Sequence, residues 1–244
     1  MFAAWIIQQK TRDAGIVDVF WAFGMAAAGG LYGYSGTGPE WIRITLAVLT
    51  IVWFTRLGWH ILARNRSDPC EDGRYQAMRA WLGKRAAAGF FVFFQIQAGF
   101  VVLLSLPFLV VANTPDPVPL LVAAGVMVAL VAFWGEITAD RQLREFRADP
   151  ANRGRTCRRG WWRLSRHPNY FFEWLHWFAY PLMGFGGPYG QLLWFAPLVM
   201  LIFLVFLTGI PFTEQQAVRS RGEDYRAYQR QTSAFFPWPP SNRA

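Results

Sequence analysis

The chain has few cysteines, histidines and acidic residues. Its 244 residues include two cysteines, three histidines and 15 acidic residues. Cys70 and Cys157 both lie in arginine-rich stretches that we place on the cytosolic side, so a structural disulfide is not expected. No zinc-ligand spacing occurs, and no metal site is predicted. The opening residues MFAAWIIQQK lack a basic n-region and a small-residue cleavage site, so we interpret them as a short first span rather than a cleavable signal peptide.

Basic residues outnumber acidic ones by 24 to 15, but this excess does not predict a nucleic-acid partner. The lysines and arginines lie between long apolar runs, whereas a nucleic-acid-binding protein spreads them over a soluble face. The chain is 54% hydrophobic and 18% aromatic. This composition predicts an all-α, multi-pass transmembrane helical bundle, organised as a single domain over residues 1–244.

Six apolar runs approach the roughly 20 residues that a helix needs to cross a bilayer. With the N-terminal segment they predict about seven helices. Basic residues fall in alternate connections, which by the positive-inside rule predicts an outside N-terminus and a cytosolic C-terminal tail. The protein is therefore expected in a membrane, the inner (plasma) membrane if it is bacterial. The six runs lie near residues 16–35, 43–63, 87–112, 117–139, 168–186 and 190–212.

The segment GEITADRQLREFR carries four charged residues on one predicted helix face. Glu136, Asp140, Arg144 and Arg147 follow one another at i, i+4, i+8 and i+11. The carboxylates lie deeper in the apolar run and the guanidiniums at its rim. Since arginine binds phosphate through paired hydrogen bonds, this gradient suits a ligand with a polar head and an anionic tail. A solvated ladder of ion pairs would give the same pattern.

The segment NRGRTCRRGWWRLSRHPNYFFEWLHW contains six arginines before a proline-containing turn. Such a density indicates either a phosphate-binding surface or an anchor to anionic lipid, which is worth roughly 1 kcal/mol per basic residue. The helix that follows places Asn169, Glu173, Trp177 and Tyr180 on one stripe. A lipid anchor does not require that stripe, so the pattern favours a ligand cavity.

Ionisable groups also occur in three other regions. Asp18 lies near the cytosolic end of an early apolar run, where it is either functional or a helix-end charge within reach of Arg12. His60 alone would most often be an ordinary packed histidine. The tail that contains Tyr225 and Tyr228 could lie flat on the membrane surface or close over the cytosolic mouth of a cavity.

The order of these motifs resembles the steroid 5α-reductase-like membrane proteins, and within them the functionally unassigned DUF1295 group. The segments RHPNY and E-x-x-x-D-x-Q-L carry different weight. RHPNY is shared with sterol C14-reductases and isoprenylcysteine carboxyl methyltransferases, whereas E-x-x-x-D-x-Q-L is more particular to the reductases. The resemblance covers nearly the whole chain through DVFW, RLGWHILARN with DGRY, GEITADRQLREF, GWWRLSRHPNYFFEW and GEDYRAYQRQTSAFFPW.

The resemblance implies a seven-helix reductase whose residues from about 130 to 244 bind NADPH in a cavity facing the cytosol. The hydride would pass to a carbon–carbon double bond conjugated to a carbonyl, in a hydrophobic substrate drawn from the bilayer. Asp18 is the first candidate for the catalytic residue that organises the proton donor, and Tyr75 and His60 rank after it because their loop could be structural. The implied substrate contacts are Trp21, Trp53 and Trp177. The implied cofactor contacts are Glu136, Asp140, Arg144, Arg147, Arg155, Arg158, Trp162, Ser165, Arg166, His167, Asn169, Tyr170, Glu173, Glu214, Tyr225 and Tyr228.

The chain departs from the steroid 5α-reductases in its proton-donor system. Those enzymes use a Gln–Glu pair and a tyrosine, and here Val17, Asp18 and Trp53 stand at the three positions. An enone or enoyl lipid is therefore as good a predicted substrate as a steroid. If Asp18 is buried away from a cation, it would have a raised pKa and could donate a proton as the neutral acid.

Two other functions fit part of the pattern. An S-adenosylmethionine-dependent methyltransferase of the isoprenylcysteine type would share RHPNY and the tail tyrosines. Its cofactor carries no phosphate, so it gives no reason for the arginines at 144, 147, 155, 158 and 159. A non-catalytic lipid-binding protein would keep the fold and bind no nucleotide.

Overall fold

The computed structural model describes residues 1–67, 70–207 and 209–241. Arg243, one of the basic residues that set the predicted side of the tail, lies outside them. Within these ranges every regular element is helical, which confirms the all-α prediction. The α-helices are α1 (Phe2–Thr11), α2 (Ile16–Ser35), α3 (Glu40–Ser67), α4 (Gly73–Leu82), α5 (Ala86–Ala112), α6 (Pro119–Ala148), α7 (Trp161–Leu164), α8 (Pro168–His176), α9 (Ala179–Met183), α10 (Phe195–Ile202), α11 (Ile210–Arg221) and α12 (Glu223–Gln231).

Five stretches of the described chain are long and apolar enough to cross a membrane, which confirms a multi-pass architecture. Each overlaps one of the predicted apolar runs. Two of the seven predicted helices do not qualify: α1 has only 10 residues, and the run at 168–186 is interrupted. The orientation and the full count of seven stay predictions. The five stretches are Ile16–Ser35, Glu40–Ser67, Gly73–Ala112, Pro119–Ala148 and Gly190–Arg221.

The run at 168–186 forms two short helices instead of the single span that the sequence predicted. Helix α8 ends at His176 and α9 extends from Ala179 to Met183. Pro181 explains the interruption, because it has no N–H to donate and its ring would clash with the carbonyl of Trp177 four residues earlier. Apolar length alone therefore overestimated this segment as a continuous helix.

The chain divides into two compact units, and the first comprises Met1–Val118 with Gly184–Gly190. At one end of unit 1, Glu71 accepts a hydrogen bond of 2.8 Å from the backbone N–H of Ala14. At another, the N–H of Gly38 donates to the carbonyl of Ala112 over 2.9 Å. In unit 1, two connections from the basic group thus contact each other, and two connections without Lys or Arg contact each other. Both contacts agree with the charge pattern of this part of the chain.

The second unit comprises Pro119–Met183 with Gln191–Ala244. Helix α6 packs closely on α8, since a Cβ at Gly135 would lie 2.3 Å from Cε1 of Phe172. The tail after α12 returns to the segment that follows α6: the N–H of Arg166 donates to Ser233 O over 2.8 Å, and the N–H of Trp238 donates to Leu164 O over 2.9 Å. All of the predicted cofactor contacts lie within the residue ranges of unit 2.

Candidate functional site

A cluster of four polar residues in unit 1 joins two of the predicted catalytic side chains. We call Asp18, Asp72, Arg74 and Tyr75 the Asp18 cluster. The Tyr75 hydroxyl donates to Asp18 Oδ1 over 2.8 Å, and Arg74 Nη2 donates to Asp18 Oδ2 over 3.1 Å. Each carboxylate oxygen of Asp18 thus has its own donor, one a phenol and one a guanidinium.

Asp72 fixes both the start of α4 and the position of Arg74. Its Oδ1 accepts the backbone N–H of Arg74 over 3.0 Å, which caps the helix, and also accepts Arg74 Nε over 3.0 Å. Burial alone would raise the pKa of Asp72, but the hydrogen bond and charge of Arg74 outweigh it and lower that pKa. Asp72 is therefore a carboxylate at neutral pH and holds Arg74 against Asp18.

The Asp18 cluster is buried on the tyrosine side and open on the aspartate side. Tyr75 is 4% exposed and packs edge-on against Phe90 and Phe93. Asp18 leaves 25% of its side chain exposed and forms an ion pair with Arg74. Asp18 is therefore neither fully buried nor away from a cation.

Sequence reasoning gave Tyr75 a minor role and did not assign one to Arg74. It sought the missing donor hydroxyl at position 53, where Trp53 is buried in α3. The structure brings a hydroxyl to Asp18 from α4, a different element. The adjacency of Arg74 and Tyr75 in the motif DGRY was the available signal, but only the docking of α4 beside α2 makes both of them partners of Asp18.

The other predicted residues of unit 1 lie on α2 and α3. Trp21 is half-buried, with its ring edge-on to Phe54 at a centroid distance of 5.9 Å. Trp53 is buried and His60 is half-buried. Their predicted roles in substrate contact and catalysis stay predictions.

In unit 2, α6 carries the predicted gradient from carboxylates to guanidiniums. Glu136 and Asp140 are buried at 4% and 8% exposure, while Arg144 and Arg147 are exposed in the last turns of the helix. The helix face that the i, i+4 spacing predicted is thus buried at one end and exposed at the other.

The predicted stripe after α7 continues across the break between α8 and α9. Asn169 is half-buried in the first turn of α8, and Glu173 is buried one turn later. The indole Nε1 of Trp177 donates to Glu173 Oε1 over 3.4 Å. Tyr180 lies 2.7 Å from His176 Nε2 through its hydroxyl, and both side chains are fully buried.

A second polar cluster surrounds Glu214, and we call Arg166, His167, Glu214, Tyr225 and Gln229 the Glu214 network. Arg166 Nε donates to Glu214 Oε1 over 2.5 Å, and Gln229 Nε2 donates to Oε2 over 2.9 Å. His167 Nε2 and the Tyr225 hydroxyl approach Oε1 at 3.3 and 3.4 Å. Burial lowers the pKa of His167, although Glu214 opposes the change. Glu214 of α11 thus contacts side chains of α12 and of the residues that immediately precede α8.

Further predicted cofactor residues bind neighbouring backbone groups. The Tyr228 hydroxyl donates to the carbonyls of Trp162 and Ser165, and burial raises its pKa. The Ser165 hydroxyl donates to Phe235 O over 2.8 Å, and the Trp162 indole donates to Ala139 O over 2.8 Å. These contacts attach the tail to the loop after α6.

The remaining predicted phosphate ligands lie at the surface of unit 2. Arg158 is paired with Asp224 at 3.2 Å, Arg155 is exposed, and the Tyr170 hydroxyl lies 3.2 Å from Thr213 Oγ1. Within the described residues, no group of three His, Cys, Asp or Glu side chains is placed to hold a metal ion.

The long apolar helices and the buried carboxylates of unit 2 define an integral membrane protein of the all-helical class. Residues 4–232 match the family model described as "Protein of unknown function (DUF1295)", and the chain belongs to that family. No curated protein and no solved structure matches the chain. The resemblance to DUF1295 is thereby confirmed, and the relation to steroid 5α-reductases stays a prediction.

Proposed function

We propose that this protein is an NADPH-dependent membrane reductase that acts on a carbon–carbon double bond conjugated to the carbonyl of a lipid or steroid-like substrate. The hydrogen bond from Tyr75 to Asp18 carries the proposal. A phenol beside a carboxylate is a proton-donor pair of the kind that the resemblance calls for. The pair uses a tyrosine from α4 in place of the one missing at position 53.

The donor set of unit 2 fits the chemistry of a phosphorylated dinucleotide. The exposed guanidiniums of Arg144, Arg147 and Arg155 suit its phosphates, because their planar donor groups match phosphate oxygens. The buried carboxylates of Glu136 and Asp140 are acceptors suited to amide or hydroxyl donors. Bound NADPH supplies the hydride, and the protein supplies position and electrostatics.

Tyr75 would polarise the substrate carbonyl. Its hydroxyl proton rotates about the C–O bond, so it can be directed to Asp18 or to a substrate oxygen. A hydrogen bond to that oxygen withdraws electron density from the β-carbon and stabilises the charge that develops on the oxygen. Asp18 keeps the phenol in place while Arg74 balances its charge, and its exposed edge gives water access for the return of a proton.

Ligand titrations of the purified full-length protein in nanodiscs test the cofactor. NADPH fluorescence is expected to change on binding, and Arg144→Gln or Arg155→Gln should weaken that binding by about tenfold, the typical value of one charge-assisted hydrogen bond. The same titration with S-adenosylmethionine should show no binding. Binding of S-adenosylmethionine without NADPH would favour the methyltransferase, and binding of neither would favour a lipid-binding protein.

Deuterium transfer from labelled NADPH to 4-cholesten-3-one or a trans-2-enoyl lipid tests the reaction. Tyr75→Phe keeps the ring and removes the hydroxyl, so it should lower kcat by about 10²- to 10⁴-fold and leave the NADPH Kd unchanged. Tyr34→Phe is the matched control, because Tyr34 is 86% exposed. Equal rates for these two variants would exclude Tyr75 as the donor.

A further inference from the structure

Unit 2 contains another group of polar side chains, and its four members are not among the predicted cofactor contacts. We define the Cys157 pocket by Thr156, Cys157, Arg159 and Arg221. Cys157 is 2% exposed and packs with Phe146 and Trp162. Three of these residues lie in the loop after α6, and Arg221 is the last residue of α11. The group thus combines parts of the chain that are far apart in sequence.

Two guanidiniums of the pocket rest on aromatic rings. Arg221 Cζ lies 4.8 Å from the centroid of Tyr225, and Arg159 Cζ lies 5.9 Å from that of Phe146. Neither arginine forms a salt bridge with a described residue. Burial raises the pKa of the Cys157 thiol, and the positive charges of Arg159, Arg147 and Arg221 oppose that rise. Several cations thus converge on one buried position.

Two buried donors in the pocket lack hydrogen-bond partners among the described residues. They are the hydroxyl of Thr156, a residue only 7% exposed, and Nε of Arg221. A buried donor without an acceptor costs free energy, so natural proteins seldom retain one without a reason. Both atoms would be satisfied by an anion that accepts hydrogen bonds.

The nearest carboxylate is already engaged. Asp224 Oδ2 accepts the backbone N–H of Thr156 over 2.8 Å, and Oδ1 accepts Arg158 Nη2 over 3.2 Å. Asp224 therefore pairs with Arg158 and holds the Thr156 backbone in place. Neither of its oxygens bonds to the Thr156 hydroxyl or to Nε of Arg221, so both donors are open to another acceptor.

We propose that the Cys157 pocket binds a phosphate monoester. Such a group carries about two negative charges and several strong acceptor oxygens, which match one hydroxyl and two guanidiniums. Both the 2′-phosphate of a nucleotide and the headgroup of phosphatidic acid have this chemistry. The site needs no nicotinamide, so it can exist even if the proposed reductase activity does not.

Isothermal titration of the full chain in phosphatidylcholine nanodiscs tests the site with adenosine 2′,5′-bisphosphate. Thr156→Val preserves shape and removes the hydroxyl, and it should weaken binding by roughly fivefold to tenfold, while Thr156→Ser retains it. The ligand-free Val variant should melt at the same or a higher temperature, because it removes an unsatisfied buried hydroxyl. Unchanged affinity, or a clearly lower ligand-free melting temperature, would overturn the proposal.

Arg221→Gln and Arg219→Gln form a matched pair, because both lie in the last turn of α11 and lose the same charge. The first should weaken the bisphosphate by about tenfold or more, and the second, at an exposed position, by less than about twofold. Equal losses would show general attraction by the basic surface and would sink the proposed pocket. So would equal affinity of wild type for adenosine, which lacks both phosphates.

Nanodiscs containing phosphatidic acid identify the source of the phosphate. If the lipid headgroup occupies the pocket, these nanodiscs should weaken the bisphosphate in wild type but not in Thr156→Val. If the pocket serves a soluble nucleotide, the wild-type affinity should be the same in both lipids. Either result supports the phosphate site, whereas equal competition in both variants would place the lipid elsewhere and contradict it.

Discussion

The Asp18 cluster and the Glu214 network use the same residue types for different tasks. In each, a carboxylate binds one arginine and one tyrosine. Asp18 accepts hydrogen bonds from two side chains and exposes 25% of its own, whereas Glu214 contacts four side chains and exposes 16%. The residue composition of a polar cluster therefore does not reveal its role. The number of side chains that contact the carboxylate and its exposure to solvent do.

The Glu214 network binds one carboxylate through four side chains, which is typical of a structural contact. The Asp18 cluster instead holds a partly exposed carboxylate beside a buried tyrosine hydroxyl. Three measurements test this difference.

Glu214→Ala should destabilise the protein by about 3 to 5 kcal/mol, because it leaves the guanidinium of Arg166 largely buried without its carboxylate. Glu223→Ala is the matched control, since Glu223 pairs with Arg230 at the surface and should contribute less than about 1 kcal/mol. Chemical unfolding followed by tryptophan fluorescence measures both. Similar losses for the two variants would mean that the Glu214 network is no more than a surface ion-pair group.

Tyr228→Phe should cost about 1 to 3 kcal/mol, because it removes the donor to two buried carbonyl groups. Tyr75→Phe should cost about 1 kcal/mol, since Asp18 keeps Arg74 and access to water. The comparison uses unfolding midpoints of the two variants in the same detergent. A larger loss at Tyr75 than at Tyr228 would show that the Asp18 cluster contributes more to stability than the tail contacts of unit 2.

The stability of the Glu214 network should fall at mildly acidic pH. Burial lowers the pKa of His167 from 6.5, so the unfolded chain binds this proton more readily than the folded protein. The contribution of His167 to stability is then fully present above pH 6.5 and decreases as the pH falls toward the folded pKa. We expect a loss on the order of 1 kcal/mol, or about 2 to 4 °C in the melting midpoint, between pH 7.5 and 5.5.

His167→Gln keeps a donor for Glu214 and removes the titration, so its melting midpoint should depend less on pH over this range. A wild-type protein that becomes more stable on acidification would show that the attraction of Glu214 outweighs burial at His167.

Long helices were the most predictable part of the fold. Apolar length predicted α2 as Ile16–Ser35 and located the other four long stretches, because a bilayer-spanning helix must carry about 20 apolar residues in sequence. The same rule failed at 168–186, where Pro181 interrupts the helix locally. The i, i+4 spacing also predicted correctly that Glu136 and Asp140 would be buried while Arg144 is exposed.

The sequence by itself thus determined the membrane class, the long helices and which chain segments carry charge, since these depend on local composition and helical period. Only the tertiary structure decided the partners. It placed Tyr75 and Arg74 of α4 on Asp18 of α2 and gathered Arg166 and Tyr225 around Glu214. Such pairings depend on how helices dock across long sequence separations, and helical periodicity does not specify that docking.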